Sequence, residues 1–195
     1  MPTEDANRWN FRYQTDPRNS FEQPRTLLWE HADLLPYDGL ALDIAMGLGG
    51  NASFLLQHGL RVIGVDISYV AVRKAKTEFP ALMALVSDLC RFYIPLNTFD
   101  VIIDFLYLQR DLWMPITKGL KKGGVVFIEC LMEDMLSIHP EINPVYLLKP
   151  GELQQAFIQG NLDKELEILF YSEGWRPTVT SHPRSTACLI ARRIS

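Results

Sequence analysis

The sequence predicts an α/β protein: a mostly parallel seven-stranded sheet, with an antiparallel strand pair at one edge and helices on both faces. Three observations carry this. Short apolar, β-branched runs alternate with segments of helical composition from residue 40 to residue 130. Strand–helix alternation implies right-handed crossovers and a parallel sheet. A glycine-rich turn, Gly47-Leu48-Gly49-Gly50, follows the first apolar run directly. The last two apolar runs, 166–171 and 187–192, have no convincing helix between them, so they pair antiparallel.

Each element has a local cause. Residues 1–36 place Trp9, Phe11, Tyr13, Phe21 and Trp29 among many charges. Disordered segments are poor in aromatics, so this reads as an ordered N-terminal cap with a helix near 24–34. Residues 40–45 form the first strand, and residues 51–58 the helix after the turn, with Gly59 suited to the left-handed position past its end. Residues 61–67 (RVIGVDI) make a second strand. Ser68 caps the next helix, 69–79, which Pro80 ends. Residues 82–86 are a third strand, and residues 100–106 (DVIIDFL) a fourth, apolar enough to be central and covered on both faces. Residues 113–120 are helical, 121–124 (KKGG) a turn, and 125–130 a fifth strand. A loop and helix over 147–159, with Pro150 near the start, precede the final pair. The whole, 1–195, reads as one domain: a cap or lid at 1–36, a ligand-binding core at 38–130, and a substrate loop, helix and edge strands at 131–195.

Composition narrows the function classes. The chain has 195 residues, 48% hydrophobic and 22% charged, with a formal net charge of −4. It lacks the basic excess that nucleic acid calls for, so no nucleic-acid partner is expected. The start, Met1-Pro2-Thr3-Glu4-Asp5, has neither the basic nor the apolar region of a signal peptide. No uncharged apolar run approaches the ~18–20 residues of a membrane span. The expectation is a cytoplasmic protein with no membrane partner. Cys90, Cys130 and Cys188 are scattered, odd in number and without a C-x-x-C, so they read as reduced thiols, and no metal site is expected.

The glycine turn fits two ligands. Residues 47–52 match the dinucleotide frame G-x-G-x-x-A, whereas Asp43-x-Ala45-x-Gly47-x-Gly49 matches that of S-adenosylmethionine. Ligands of open α/β sheets lie beyond the carboxyl ends of the strands, and Asp43, Asp66, Asp88 and Asp104 stand at or near four such ends in order. Asp66, 19 residues after Gly47, suits the two hydroxyls of an adenosine ribose, with Ile67 beside it. Asp88 in S-D-L suits the adenine amine, with the Leu89 backbone on the ring edge. Asp43 favours the sulfonium cofactor, because dinucleotide fingerprints keep that position apolar. Gly47 and Gly49 let the backbone approach closely, and the helix start near Asn51 favours a ligand carboxylate. Trp9, Arg12 and Tyr13 are placed as a lid, Tyr13 reaching the cofactor.

With these residues in hand, the sequence resembles the class I S-adenosylmethionine-dependent methyltransferases over roughly residues 38–195. "LDIAMGLGGNASFLLQHG" looks like their first motif, "VIGVDIS" the acidic second-strand motif, "VSDL" the adenine loop and "FDVIIDFLYL" the fourth-strand motif. "LKKGGVVFIE" looks like the L-K-P-G-G turn and fifth strand, with Lys122 where proline is usual, and Ala45 replaces the first glycine of the loop. "NPVYLLKPGELQQAF" and "RWNFRY" are similar to the small bacterial tellurite-resistance (TehB-like) branch.

The resemblance implies a Rossmann-like methyltransferase fold, S-adenosylmethionine as cofactor and S-adenosylhomocysteine as product. It implies in-line transfer to a small-molecule acceptor such as a thiol or a chalcogen oxyanion. An NAD-dependent oxidoreductase and a non-catalytic cofactor-binding partner protein are the alternatives, and both a monomer and a dimer are compatible with the sequence. The acceptor pocket is expected over the fourth-strand end, which nominates Asp104, Tyr107, Arg110, His139, Asn143, His182 and Arg184. Tyr107 either orients the acceptor or packs at a helix start. Arg110 either binds an oxyanion or pairs with Asp111 or Glu129. His139 either moves a proton or is a loop residue.

Overall fold

The computed structural model describes residues 2–15, 23–159, 165–176 and 183–195. Its helices are α1 (Pro2–Thr15), α2 (Thr26–Glu30), α3 (Gly50–Gln57), α4 (Tyr69–Glu78), α5 (Trp113–Gly119) and α6 (Glu152–Gln154). Its strands are β1 (Leu40–Ile44), β2 (Arg61–Asp66), β3 (Met83–Val86), β4 (Phe99–Phe105), β5 (Leu120–Leu131), β6 (Leu166–Arg176) and β7 (Arg184–Arg193). The strands form one sheet in the order β3-β2-β1-β4-β5-β7-β6. β1 to β5 pair in parallel, and β7 runs antiparallel to both its neighbours, β5 and β6. This is the architecture that the alternating pattern predicts.

Side-chain alternation along each strand builds two cores. On one face Leu42, Ile44, Ile102, Val126 and Ile128 pack with Trp113 and Ile116 of α5 and Leu153 of α6. On the other, Ala41, Val101, Ile103 and Phe127 pack with Leu27 and Leu28 of α2, Leu55 of α3 and Ala75 of α4. β4 lies between both cores, which is why its sequence is apolar on both faces. Strand order reverses between β1 and β4: the chain winds outward through β2 and β3, then returns on the other side. That reversal opens a crevice at the carboxyl ends of the strands.

The structure differs from the sequence expectation at four places. The cap contains a 14-residue helix, α1, that its polar composition did not announce. The helix expected over 24–34 is five residues, Thr26–Glu30, followed by a 3-10 turn at Ala32–Leu34. The KKGG segment lies inside β5, because Lys121 to Gly124 bulge out against the single residue Asp100 of β4 while pairing continues from Leu120 to Val125. Over 147–159 the regular helix is only Glu152–Gln154, continued by a wider turn over Gln155–Gln159.

Candidate functional site

A cavity of about 410 Å³ occupies the crevice, within the size range of small-molecule and cofactor sites. Ala45, Met46 and Gly47 come from the β1–α3 loop, Asp66 and Ile67 from the end of β2, and Asp88 and Leu89 from beyond β3. Leu106 and Tyr107 follow β4, and Trp9 and Tyr13 of α1 complete the wall.

The loop is built by backbone geometry. Met46 N–H donates to the Val65 carbonyl at 3.0 Å and Gly49 N–H to the Met46 carbonyl at 3.1 Å. Gly47 has φ +57, and a Cβ there would stand 2.8 Å from the Tyr13 hydroxyl. Only glycine lets α1 close this near. Gly49 has φ +83 and serves packing: its Cβ would meet Ala75 at 3.2 Å and Phe79 at 3.3 Å. It does not line the cavity. Ala45 (φ 52) and Leu106 (φ 60) are two non-glycine residues in the left-handed region, and both face the cavity. Each such residue costs ~1–2 kcal/mol, and strain of this kind gathers at functional sites.

Asp66 organises the centre. It is 5% exposed. One oxygen accepts from Gly47 N–H at 2.9 Å and the other from Ser68 N–H at 2.8 Å. Burial raises its carboxyl above the ordinary value, and the N–H groups of Ser68, Gly47 and Ile67 oppose that rise. Ser68 also caps α4, accepting from Ala71 N–H at 3.1 Å. Its hydroxyl donates to Asn10 Oδ1 at 2.7 Å, and Val70 N–H donates to the same oxygen at 3.1 Å. Lys74 Nζ reaches the Tyr13 carbonyl at 2.7 Å, and the Trp9 and Tyr13 rings stack at 5.7 Å. α1 is thus fastened to the start of α4, with its aromatic face on the cavity. Burial, then the nearby Asp66 charge, pushes the Tyr13 phenol well above its ordinary value.

Asp88 presents an open acceptor. Its Oδ1 accepts from Cys90 N–H at 3.0 Å, while Oδ2 is buried with no partner among the described residues. A buried acceptor without a donor is costly.

Asp43 and Asp104 are buried and do not line the cavity. Asp43 takes the Ala52 N–H, has no partner for Oδ2 among the described residues, and is pushed well up by burial and then by Asp66 and Asp104. Asp104 is fully buried with neither oxygen partnered among the described residues, and burial pushes its carboxyl well above the ordinary value. A carboxyl raised in the folded state stabilises the fold below its unfolded pKa of ~3.9, and that contribution is lost as pH rises towards the folded value. Asp104→Asn is therefore expected to flatten the decline of stability between about pH 4 and neutrality. Urea denaturation across that range checks this, and an unchanged slope would contradict it.

The acceptor candidates separate. Tyr107 lines the cavity, and its hydroxyl donates to Gln109 Oε1 at 2.6 Å. Asn51 also lines it and accepts Arg25 N–H at 2.8 Å. Arg184 lines it at the β7 end. Arg110 does not. Its guanidinium forks onto Glu152 (2.5 and 3.1 Å) and the carbonyls of Val145 and Leu147, stitching the segment after β5 to the exit of β4. Its partner is Glu152 rather than Asp111 or Glu129. His139 is exposed beside Glu141 at 3.0 Å and stands outside the cavity. Asn143 caps a 3-10 turn through Val145 N–H. Phe21 and His182 lie outside the described residues.

Arg25, Gln109 and Tyr146 are among the wall residues that escaped sequence reasoning. The Arg25 guanidinium forks onto Glu129, Nε to Oε2 at 3.0 Å and Nη2 to Oε1 at 2.6 Å. Glu129 interrupts the apolar run VVFIECL and is 3% exposed. An acid in such a strand needs a cation, and that was the signal available. Among the described residues no group of three His, Cys, Asp or Glu could hold a metal ion. Among them, too, no helix is long and apolar enough to cross a membrane.

Comparison with known proteins bears on the fold. Residues 41–124 match the family model for a methyltransferase domain. No curated protein matches. Solved structures similar over nearly the whole chain include a TehB-like SAM-dependent methyltransferase from Corynebacterium glutamicum: 17% identity, TM-score 0.58, 98% of this chain and 97% of that one. A second is a geranyl diphosphate C-methyltransferase from Streptomyces coelicolor, in complex with Mg2+, geranyl diphosphate and S-adenosyl-L-homocysteine: 14%, 0.66, 99% and 98%. A third is the complex between the Haloferax volcanii Trm112 methyltransferase activator and a methyltransferase: 15%, 0.73, 96% and 98%. The fold is the Rossmann-like methyltransferase fold.

Proposed function

We propose that this chain, with a methyltransferase domain over 41–124 and the methyltransferase fold throughout, is an S-adenosylmethionine-dependent methyltransferase acting on a small molecule. The observation that carries the reading is the unpartnered Asp88 Oδ2 on the wall of a cavity that Asp66 and the Gly47 loop also line. Three features in sheet order match the three parts of the cofactor. Asp88 accepts from the adenine amine, Asp66 from the ribose hydroxyls, and the Ala45–Gly47 backbone with Asn51 receives the amino-acid tail. When bound, the cofactor supplies an electrophilic methyl group on a sulfonium.

The protein's own share is alignment and exclusion of water, since positioning alone is worth ~7–11 kcal/mol. Leu106 and Tyr107 place their backbone and phenol at the β4 end, and Trp9 and Tyr13 cover the site. The described wall there offers the Tyr107 hydroxyl and the Gln109 amide. These groups orient a nucleophile that needs no strong base, which favours a thiol or chalcogen oxyanion in the manner of the TehB-like branch.

A thermal shift tests the cofactor. S-adenosylhomocysteine at ~100 times its Kd raises stability by about 2.7 kcal/mol, and NADH leaves Tm unchanged. Stabilisation by NADH alone would assign the chain to the oxidoreductases. We further expect deletion of residues 1–20 to weaken S-adenosylhomocysteine binding more than it lowers folding stability, because the deletion removes Trp9, Asn10 and Tyr13 from the wall and its fastening. Calorimetry that finds unchanged affinity in the truncated protein rejects the lid.

A further inference from the structure

We propose that Asp43 and Asp104 are specificity-determining residues of the cofactor site: they favour the sulfonium donor over its demethylated product, which lacks that positive charge, by giving up a proton when the donor binds. The inference deepens the methyltransferase reading and rests on it.

Both acids stand where the sheet order reverses. Asp43 is the last residue but one of β1 and Asp104 the last but one of β4. These strands pair in parallel, with Ile44 opposite Asp104. Two residues further along each chain segment, Ala45 and Leu106 enter the cavity wall, each with a left-handed backbone. The carboxyls are therefore anchored in the sheet a short step of chain from the ligand. Asp43 is 1% exposed and Asp104 0%. Among the described residues Asp43 Oδ2 and both oxygens of Asp104 have no hydrogen-bond partner.

The groups that act on the two carboxyls include no base. Asp66 and Asp104 act on Asp43, whose donor is the Ala52 N–H of α3, and burial alone acts on Asp104. Asp104 in turn acts on Tyr107 beyond β4 and on Cys130 of β5, while Asp66 and Asp43 act on Tyr13 of α1. The ionisable neighbours are thus a third carboxyl, two phenols and a thiol; Arg12 and Arg110 bear on Tyr13 and Cys130 respectively. Buried carboxyl oxygens that lack donors and stand near like charges favour the neutral form, and burial raises both groups well above the ordinary value.

A positive charge nearby reverses that balance. Tyr13, Asp66 and Tyr107 line the cavity and interact with these carboxyls, so a cation seated among them lies within the same electrostatic reach. The sulfonium is such a cation. S-adenosylhomocysteine has the same nucleoside and amino-acid tail without it. Donor binding therefore expels a proton that product binding leaves in place. By linkage, the affinity for donor relative to product rises with pH, by up to about tenfold per pH unit for one proton.

Calorimetry counts the protons. S-adenosylmethionine and S-adenosylhomocysteine are each titrated into the full chain near neutral pH, in phosphate and in Tris, whose protonation enthalpies differ. The expected result is about 0.5–1 proton more released by S-adenosylmethionine than by S-adenosylhomocysteine. In Asp43→Asn/Asp104→Asn the excess should vanish, and the affinity ratio of the two ligands should no longer change with pH. Asparagine keeps an oxygen for Ala52 N–H, and S-adenosylhomocysteine binding in the variant reports an intact site. The ligand amine titrates alike in solution whichever protein is present, so the difference between proteins reads the carboxyls. Equal proton counts for the two ligands in the wild-type chain, or an excess that survives in the double variant, overturns the inference and leaves the methyltransferase reading standing. Failure of both ligands to bind the wild-type chain overturns both.

Discussion

Asp66→Ala is expected to weaken S-adenosylhomocysteine binding by about 100-fold or more. The carboxylate holds Gly47 N–H at 2.9 Å and Ser68 N–H at 2.8 Å and lines the cavity. On the proposed reading, removing it deletes the acceptors for two ribose hydroxyls, each worth ~1.5–3 kcal/mol as a charged hydrogen bond. It also leaves Gly47 N–H without its partner, so the glycine loop loses its anchor. Asp66→Asn keeps the shape and one acceptor and should fall between. Calorimetric affinity within about threefold of wild type for Asp66→Ala would remove Asp66 from the cofactor site.

Arg25→Ala should destabilise the fold by about 3–5 kcal/mol, the range for breaking a buried pair from one side. Glu129 is 3% exposed, and its two oxygens would face the core with no cation. The reverse change, Glu129→Ala, should cost less, because the Arg25 side chain retains 24% exposure against 4% for Glu129 and can turn towards water. The double variant should be less damaged than the sum, since the second change removes the charge the first stranded. Chemical denaturation of the three proteins reads this directly. Equal losses for the two single variants would contradict it.

The sheet was legible because its signals are local. β1, β2 and β4 announce themselves by short apolar runs, and Asp66 and Asp88 stand at the ends of β2 and β3, where ligands of such sheets lie. The glycine loop was legible in the same way, although only the structure divides its labour: Gly47 admits Tyr13, whereas Gly49 admits Ala75 and Phe79. What escaped was long-range. Arg25 meets Glu129 across 104 positions, and Asn10 meets Ser68 across 58. Nothing in the sequence nearby encodes either partner. Arg110 was nominated on chemistry, yet Glu152, 42 residues on, claims it. Asp43 and Asp104 end strands, which in sequence makes them candidates for the site. Both are buried and do not line the cavity, and burial raises both carboxyls.

Ser68 stands between two structures that the chain builds far apart: its N–H belongs to Asp66, and its hydroxyl belongs to Asn10 on α1. In the proposed methyltransferase reading, the nucleoside subsite and the helix beside it therefore share one latch. By thermodynamic reciprocity, whatever factor the seated helix adds to nucleoside affinity, an occupied nucleoside subsite returns to the helix, so an occupied site would hold the amino-terminal end of the chain more firmly against α4.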